Sequence, residues 1–248
     1  MKFAIIAAGE GSRLREEGVQ QPKPLVKING EHLIDRLIRV FLDCNAEEIV
    51  VICNDLTTLV SQHLQLLSDQ GLEGTSAPLK FIVKSTPSSM HSFYELSTML
   101  DDAPFVLTTV DTIFQEEEFK AYVEAFERVV ADGNDGLMGV TDYIDDEKPL
   151  YVGTDQAMNI TGFYDDNVAN CTYISGGIYG LTPSSLSTLN ACVQRGESRM
   201  RNFQRALVSD GQKLKAHRFS KVLDIDHASD IEKAEGFLRR DATKDMSR

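Results

Sequence analysis

The chain has 248 residues, 42% hydrophobic and 25% charged, a balance that suits one α/β domain with a sizeable core. A net charge of −13 argues against a nucleic-acid backbone as partner, and no apolar run approaches the roughly 20 residues that a membrane helix requires. Cys44, Cys53, Cys171 and Cys192 are widely spaced in apolar or helical contexts, so they read as core or near-core thiols and support neither a disulfide framework nor a CxxC metal site.

The apolar run 3–8 reads as a buried strand, and its early start leaves no room for a signal peptide, so a cytoplasmic location is expected. Ile34, Leu37, Ile38, Phe41 and Leu42 then recur at helical spacing, and 48–53 is an apolar run short enough for a strand. A helix over roughly 55–69, a strand at 79–84, a helix at 88–100 and a strand at 105–110, ending at Asp111, continue the alternation. Strand and helix in turn predict right-handed crossovers and a Rossmann-like, doubly wound, mainly parallel sheet flanked by helices. Ligands bind such sheets at the carboxyl ends of the strands where strand order reverses, which draws the loop after the first strand towards Asp111. In the second half, 136–141, 149–153, 158–164 and 173–179 read as strands and 183–194 and 199–209 as helices. A strand pair near 213–226 and a closing helix at 228–240 complete a single domain over 1–240, with 241–248 as a flexible tail.

The first strand empties into Gly9-Glu10-Gly11-Ser12-Arg13, a side-chain-poor stretch whose backbone can fold around a phosphate. It is not the dinucleotide fingerprint GxGxxG, which needs a glycine where Leu14 stands, nor a P-loop, which needs GK[ST] where the chain has Leu14-Arg15. Ten residues after Arg13, Lys23 is held between Pro22 and Pro24, which places it on a stiff extended segment. Residues 1–30 carry five basic and three acidic side chains, so the loop end is locally positive. Residues 101–150 carry fourteen acidic and three basic, read mostly as solvated helix face, where any carboxylate turned into the site would attract a divalent cation.

The motif AAGEGSR, from Ala7 to Arg13, followed by PKPL, from Pro22 to Leu25, resembles the signature of the sugar-phosphate nucleotidyltransferases, or nucleoside-diphosphate-sugar pyrophosphorylases, of the NTP-transferase superfamily. That resemblance implies an enzyme that joins a nucleoside triphosphate to a phosphorylated small molecule and releases pyrophosphate. Residues 1–115 are then the nucleotide-binding half and 116–240 the acceptor-binding half. The resemblance implies nucleotide contacts from Ala7, Ala8, Gly9, Gly11, Ser12 and Arg13, with Arg13 and Lys23 as the catalytic cations, Arg13 on the β/γ-phosphates and Lys23 on the α-phosphate. Asp111, preceded by Val110 where the family usually has glycine, corresponds to the first Mg²⁺ ligand. The second comes from Leu223-Asp224-Ile225-Asp226, which is similar to the family's late DxD segment, with Asp226 favoured and Asp224 the alternative. Asp230 reads as a first-turn helix residue. The segment from Thr86 to Ser92 is an N-cap, and by resemblance also faces the nucleobase, through Ser88 or Ser89. Gly176 and Gly177 are a β-bulge or, by resemblance, the place where a sugar ring approaches the backbone. No lysine stands near 162–166, where the family often grips the acceptor phosphate. A sugar 1-phosphate is the favoured acceptor; a cytidylyltransferase acting on phosphocholine or a similar alcohol phosphate and a catalytically silent nucleotide-binding regulator are the alternatives. Nucleobase and oligomeric state stay open.

Overall fold

A computed structural model of the chain describes residues 1–72, 77–145, 148–167 and 170–245. The first strand, β1 (Lys2–Ala7), is apolar after its first residue and buried on both faces. Phe3, Ile5 and Ala7 enter one core, while Ala4, Ile6 and Ala8 enter the other, the period-two signature of a strand between two helical layers. After it come the five-residue helix α1 (Ser12–Glu16), a small hairpin of β2 (Lys27–Ile28) and β3 (Glu31–His32), and α2 (Leu33–Asp43). Then follow β4 (Glu48–Cys53), α3 (Thr58–Gln70), β5 (Leu79–Val83), α4 (Ser89–Leu96), β6 (Phe105–Thr109) and the two-residue strand β7 (Thr112–Ile113). The second half runs through α5 (Glu116–Ala131), β8 (Gly136–Thr141), β9 (Tyr151–Thr154), β10 (Ile160–Tyr164), β11 (Tyr173–Leu181), α6 (Ser185–Gln194), α7 (Met200–Ser209), β12 (Leu214–Phe219), β13 (Leu223–Asp224) and α8 (Ala228–Asp245).

Among the described residues, nine strands form one sheet. Strands β5, β4, β1 and β6 lie side by side and parallel. Antiparallel β11 lies between β6 and β8, β12 lies parallel to β8, and β9 and β10 extend antiparallel from the start of β11. The expected halves therefore share one sheet. Helices α2, α3, α5 and α8 cover one face and α4, α6 and α7 the other. From β1 the chain builds outward through β4 and β5, then returns to place β6 on the other side of β1. Strand order reverses there, so the carboxyl ends of β1 and β6 border the crevice where such sheets bind ligands.

Three expectations need correction. The sixteen-residue helix α5 was hidden by the acid count, although Phe119, Tyr122, Val123 and Phe126 form its buried stripe at i, i+3, i+4 and i+7. The two strands expected near 213–226 do not pair with each other: β12 pairs with β8 and β13 with β7, because the chain leaves the sheet after Phe219 and crosses to the carboxyl ends of the central strands. Helix α8 continues past 240 to Asp245, so 241–245 of the expected tail are helical and 246–248 lie outside the described residues.

Candidate active site

Three segments far apart in sequence meet at the crevice. Lys23 opens a three-residue 3₁₀ turn in which the Leu25 N–H donates to the Pro22 carbonyl at 2.8 Å. The segment is stiff, as its prolines require, but it is a tight turn and not extended. From it the Lys23 ammonium donates to Asp111 Oδ2 at 2.6 Å and to Asp226 Oδ1 at 2.8 Å, partners 88 and 203 residues away. Arg13 Nη1 donates to the other oxygen of Asp226 at 3.1 Å. A two-stranded ribbon brings the carboxylates together: β13 pairs antiparallel with β7, opposing Asp224 to Thr112, and the Ile225 N–H donates to the Asp111 carbonyl at 3.2 Å. One residue further, Asp226 reaches Lys23.

Burial disfavours a charged Asp111, but the adjacent Lys23 ammonium and hydrogen bonds, including one from Thr109, hold its pKa below the ordinary carboxylate value. Burial likewise works against the charged Lys23, and the two carboxylates outweigh it, raising its pKa. Asp111 is therefore an anion beside a cationic nitrogen, and the same nitrogen donates to Asp226. An all-oxygen donor pair that already encloses a positive charge suits a hard divalent cation.

The loop is fixed by its own glycine and by residues outside the motif. Gly11 lies in the left-handed region at φ 61°, and a Cβ there would stand 3.3 Å from the Lys23 Cβ, so the glycine permits both the turn and the close passage of the lysine. Asn54, buried at the carboxyl end of β4, donates its amide to the carbonyls of Ala8 and Gly9 at 3.3 and 3.0 Å. Glu17 accepts the Ala228 N–H at 2.6 Å and contacts His227 Nδ1 at 2.6 Å, tying the loop helix to the start of α8. Asp230 accepts the N–H groups of Asp226 and His227, a first-turn capping role as expected.

Two cavities flank the carboxylate pair. The first, about 360 Å³, is lined by Ala8, Gly9, Gly11, Lys23, Ser88, Ser89 and Asp111. Ala7 is turned into the core instead, and Ser12 is exposed outside this lining. Ser88 is the N-cap of α4, accepting the His91 N–H, whereas the Ser89 hydroxyl has no partner among the described residues. The second cavity, about 350 Å³, is lined by Arg13, Lys148, Ser175, Gly176, Asp224, Asp226 and Lys233. Gly176 and Gly177 form the bulge in β11, between Ser175 and Ile178, with Gly177 at φ 70°. Gly176 also lines the cavity, while Gly177 is absent from its lining. Lys148, which the sequence alone suggests is a surface charge, and Lys233, which no sequence pattern marks, are the lysines of this lining. Arg201 and Arg205 pair with Asp165 at the surface.

Residues 3–164 match the model of the MobA-like NTP transferase domain. The chain is 24% identical to the UTP–glucose-1-phosphate uridylyltransferase of Haloferax volcanii over 98% of its own length and 99% of that protein's. It is 27% identical to the N-acetylmuramate α-1-phosphate uridylyltransferase of Caulobacter vibrioides over 45% of its length and 46% of that protein's. Two solved structures share the fold. A putative glucose-1-phosphate thymidylyltransferase from Bacillus anthracis superposes with a TM-score of 0.81 at 18% identity, covering 96% of this chain and 95% of that one. The inositol-1-phosphate CTP transferase from T. maritima gives 0.73 at 19% identity, covering 96% and 97%. The resemblance carried by AAGEGSR and PKPL is thus borne out over 162 residues of family match that include both motifs, and the chain belongs to the MobA-like NTP transferase domain family and is a nucleotidyltransferase.

Proposed function

We propose that this nucleotidyltransferase joins a pyrimidine nucleoside triphosphate to a sugar 1-phosphate. The observation that carries the reading is the Lys23 ammonium held between Asp111 and Asp226, with Lys23 and Asp111 lining one cavity and Asp226 the other. The nucleotide takes the glycine-loop cavity, where Ser89 offers a hydroxyl to the base edge, and the acceptor takes the cavity beside Gly176. The relatives named above are uridylyl-, thymidylyl- and CTP-transferases, which favours a pyrimidine.

In the reaction an oxygen of the acceptor phosphate attacks the α-phosphorus in line, and pyrophosphate leaves with the electrons of the broken P–O bond. Catalysis is positioning and charge neutralisation. Lys23 meets the charge that develops on the α-phosphate. Arg13, whose side chain is 59% exposed, swings from Asp226 to the departing pyrophosphate. Asp111 and Asp226 would hold Mg²⁺, which when bound would neutralise substrate phosphate charge. Asp224 serves the acceptor and not the metal.

A cationic acceptor such as phosphocholine fits less well, although Tyr143, Asp145 and Asp230 line the acceptor cavity. The face of Tyr143 already carries the Lys221 ammonium at 4.1 Å, and Lys233 pairs with both Asp145 and Asp230. The cation-binding capacity of these groups is spent internally. Pyrophosphate release with Mg²⁺, each of the four nucleoside triphosphates being paired with a panel of sugar 1-phosphates and phosphocholine, tests the reading. Turnover with a pyrimidine triphosphate and a sugar 1-phosphate is expected; turnover only with phosphocholine, or only with a purine triphosphate, overturns it.

A further inference from the structure

Away from the crevice, a second set of metal-binding side chains converges between two helices. His32 stands at the N-cap of α2, Asp35 in its first turn, and His63 on α3. Asp35 presents one oxygen to His32 Nδ1 at 2.8 Å and the other to His63 Nε2 at 2.6 Å. The imidazoles meet edge to face with centroids 5.2 Å apart. Among the described residues this is the only set of three His, Cys, Asp or Glu side chains whose ligand atoms all lie within 4.8 Å of one another. The three side chains are 20–30% exposed, enough cover to restrain their rotamers and enough opening for an ion and a water to enter.

We propose that His32, Asp35 and His63 bind a divalent transition-metal ion of the Zn²⁺ class, independently of the active site. Two imidazole nitrogens and one carboxylate oxygen are the donors that such ions prefer, with solvent completing the coordination, whereas Mg²⁺ prefers oxygen alone. The all-oxygen pair Asp111 and Asp226 and this nitrogen-rich set therefore select different ions. Without the ion, one carboxylate accepts from both imidazoles. On binding, each ring turns a nitrogen lone pair to the metal and keeps a proton only on its remote nitrogen, so the same three side chains serve both states. The bound ion ties the first turn of α2 to the middle of α3. The first turn of α3 contributes Leu59 and Val60 to a small cavity beside Gly9 and Gly11, so the tie also steadies one wall of the glycine loop.

The test titrates EDTA-stripped, dialysed full-length protein with Co²⁺ in excess Mg²⁺ and follows the visible absorption of tetrahedral or five-coordinate Co²⁺. One equivalent per chain is expected, displaced by Zn²⁺, with Zn²⁺ at tenfold its Kd raising Tm by about 2–4 °C or more. His32→Gln and His63→Gln keep an amide to hydrogen-bond Asp35, so they fold, and each weakens Co²⁺ binding by more than the roughly 10–100-fold that changes beyond the ligands cost. Asp111→Asn leaves the signal unchanged. Absence of Co²⁺ absorption in the wild type, equal binding by His63→Gln, or loss of the signal in Asp111→Asn each overturns the proposal.

Discussion

Replacing Lys23 by alanine separates what the lysine does for the fold from what it does for the reaction. The substitution removes two charge-assisted hydrogen bonds, at 2.6 and 2.8 Å, and leaves two carboxylates facing each other across the space the ammonium filled. Lys23 and Asp111 are 11% and 18% exposed, so their pair lies in the regime where losing one partner costs roughly 3–5 kcal/mol. Asp226 is 45% exposed and its share is largely screened. A net loss of about 3 kcal/mol follows, or roughly 6–12 °C in Tm for a domain of this size. Thermal melts in EDTA and in millimolar Mg²⁺ check it. Because the variant has lost the resident cation, Mg²⁺ restores part of the loss there and adds less to the wild type. At saturating Mg²⁺, kcat measured by pyrophosphate release stays down by about a hundredfold or more, the usual cost of a missing preorganised donor. Unimpaired turnover in Lys23→Ala would refute the mechanism, and equal Mg²⁺ stabilisation of both proteins would refute the idea that lysine and metal share one place.

Asp226→Asn is expected to lower kcat about a hundredfold or more, while Asp224→Asn keeps kcat and raises KM for the acceptor; the reverse pattern in steady-state kinetics would move the metal to Asp224. Gly11→Ala costs about 1–2 kcal/mol for a side chain in the left-handed region and lowers kcat by displacing Lys23, whose Cβ lies 3.3 Å from the added methyl; a variant with wild-type denaturation midpoint and turnover would show the close passage to be unimportant. The hydrogen bond that His227 donates to Glu17 raises the pKa of His227 above the ordinary value of 6.5, so its contribution to stability is complete below that value and fades as pH rises through the raised one. NMR titration of the His227 ring in wild type and in Glu17→Gln checks this, an identical pKa in both being the refuting result.

The parallel half of the sheet was legible because its strands are buried on both faces and therefore read as continuous apolar runs, as in 3–8, 48–53 and 105–110. Lys23 was legible as a candidate because two prolines mark its position, and the structure brings it to Asp111 and Asp226. Helix α5 was missed because its outward charges outnumber its inward aromatics, and only the spacing of Phe119, Tyr122, Val123 and Phe126 betrays it. Asn54 and Lys233 carry no mark in the sequence, and Lys148 reads there as a surface charge, because their places depend on which strand and helix ends become neighbours, information that no local pattern carries. The His32, Asp35 and His63 set was equally silent, since its members sit on different helices. Which of Asp224 and Asp226 approaches Lys23 depends on where β13 stops, which no local pattern shows: the strand ends at Asp224, and the chain beyond it carries Asp226 to the lysine.

The ribbon of β7 and β13 also sets the order in which competence is acquired. The strands around β1, and the loop and lysine they present, belong to the first 113 residues, whereas the partner strand begins at Leu223. A growing or refolding chain can thus assemble its central strands with only half of its carboxylate pair, and closing so long a loop is slow compared with local helix formation. Recovery of turnover lags recovery of helical signal during refolding, and the last-made segment licenses the first-made one.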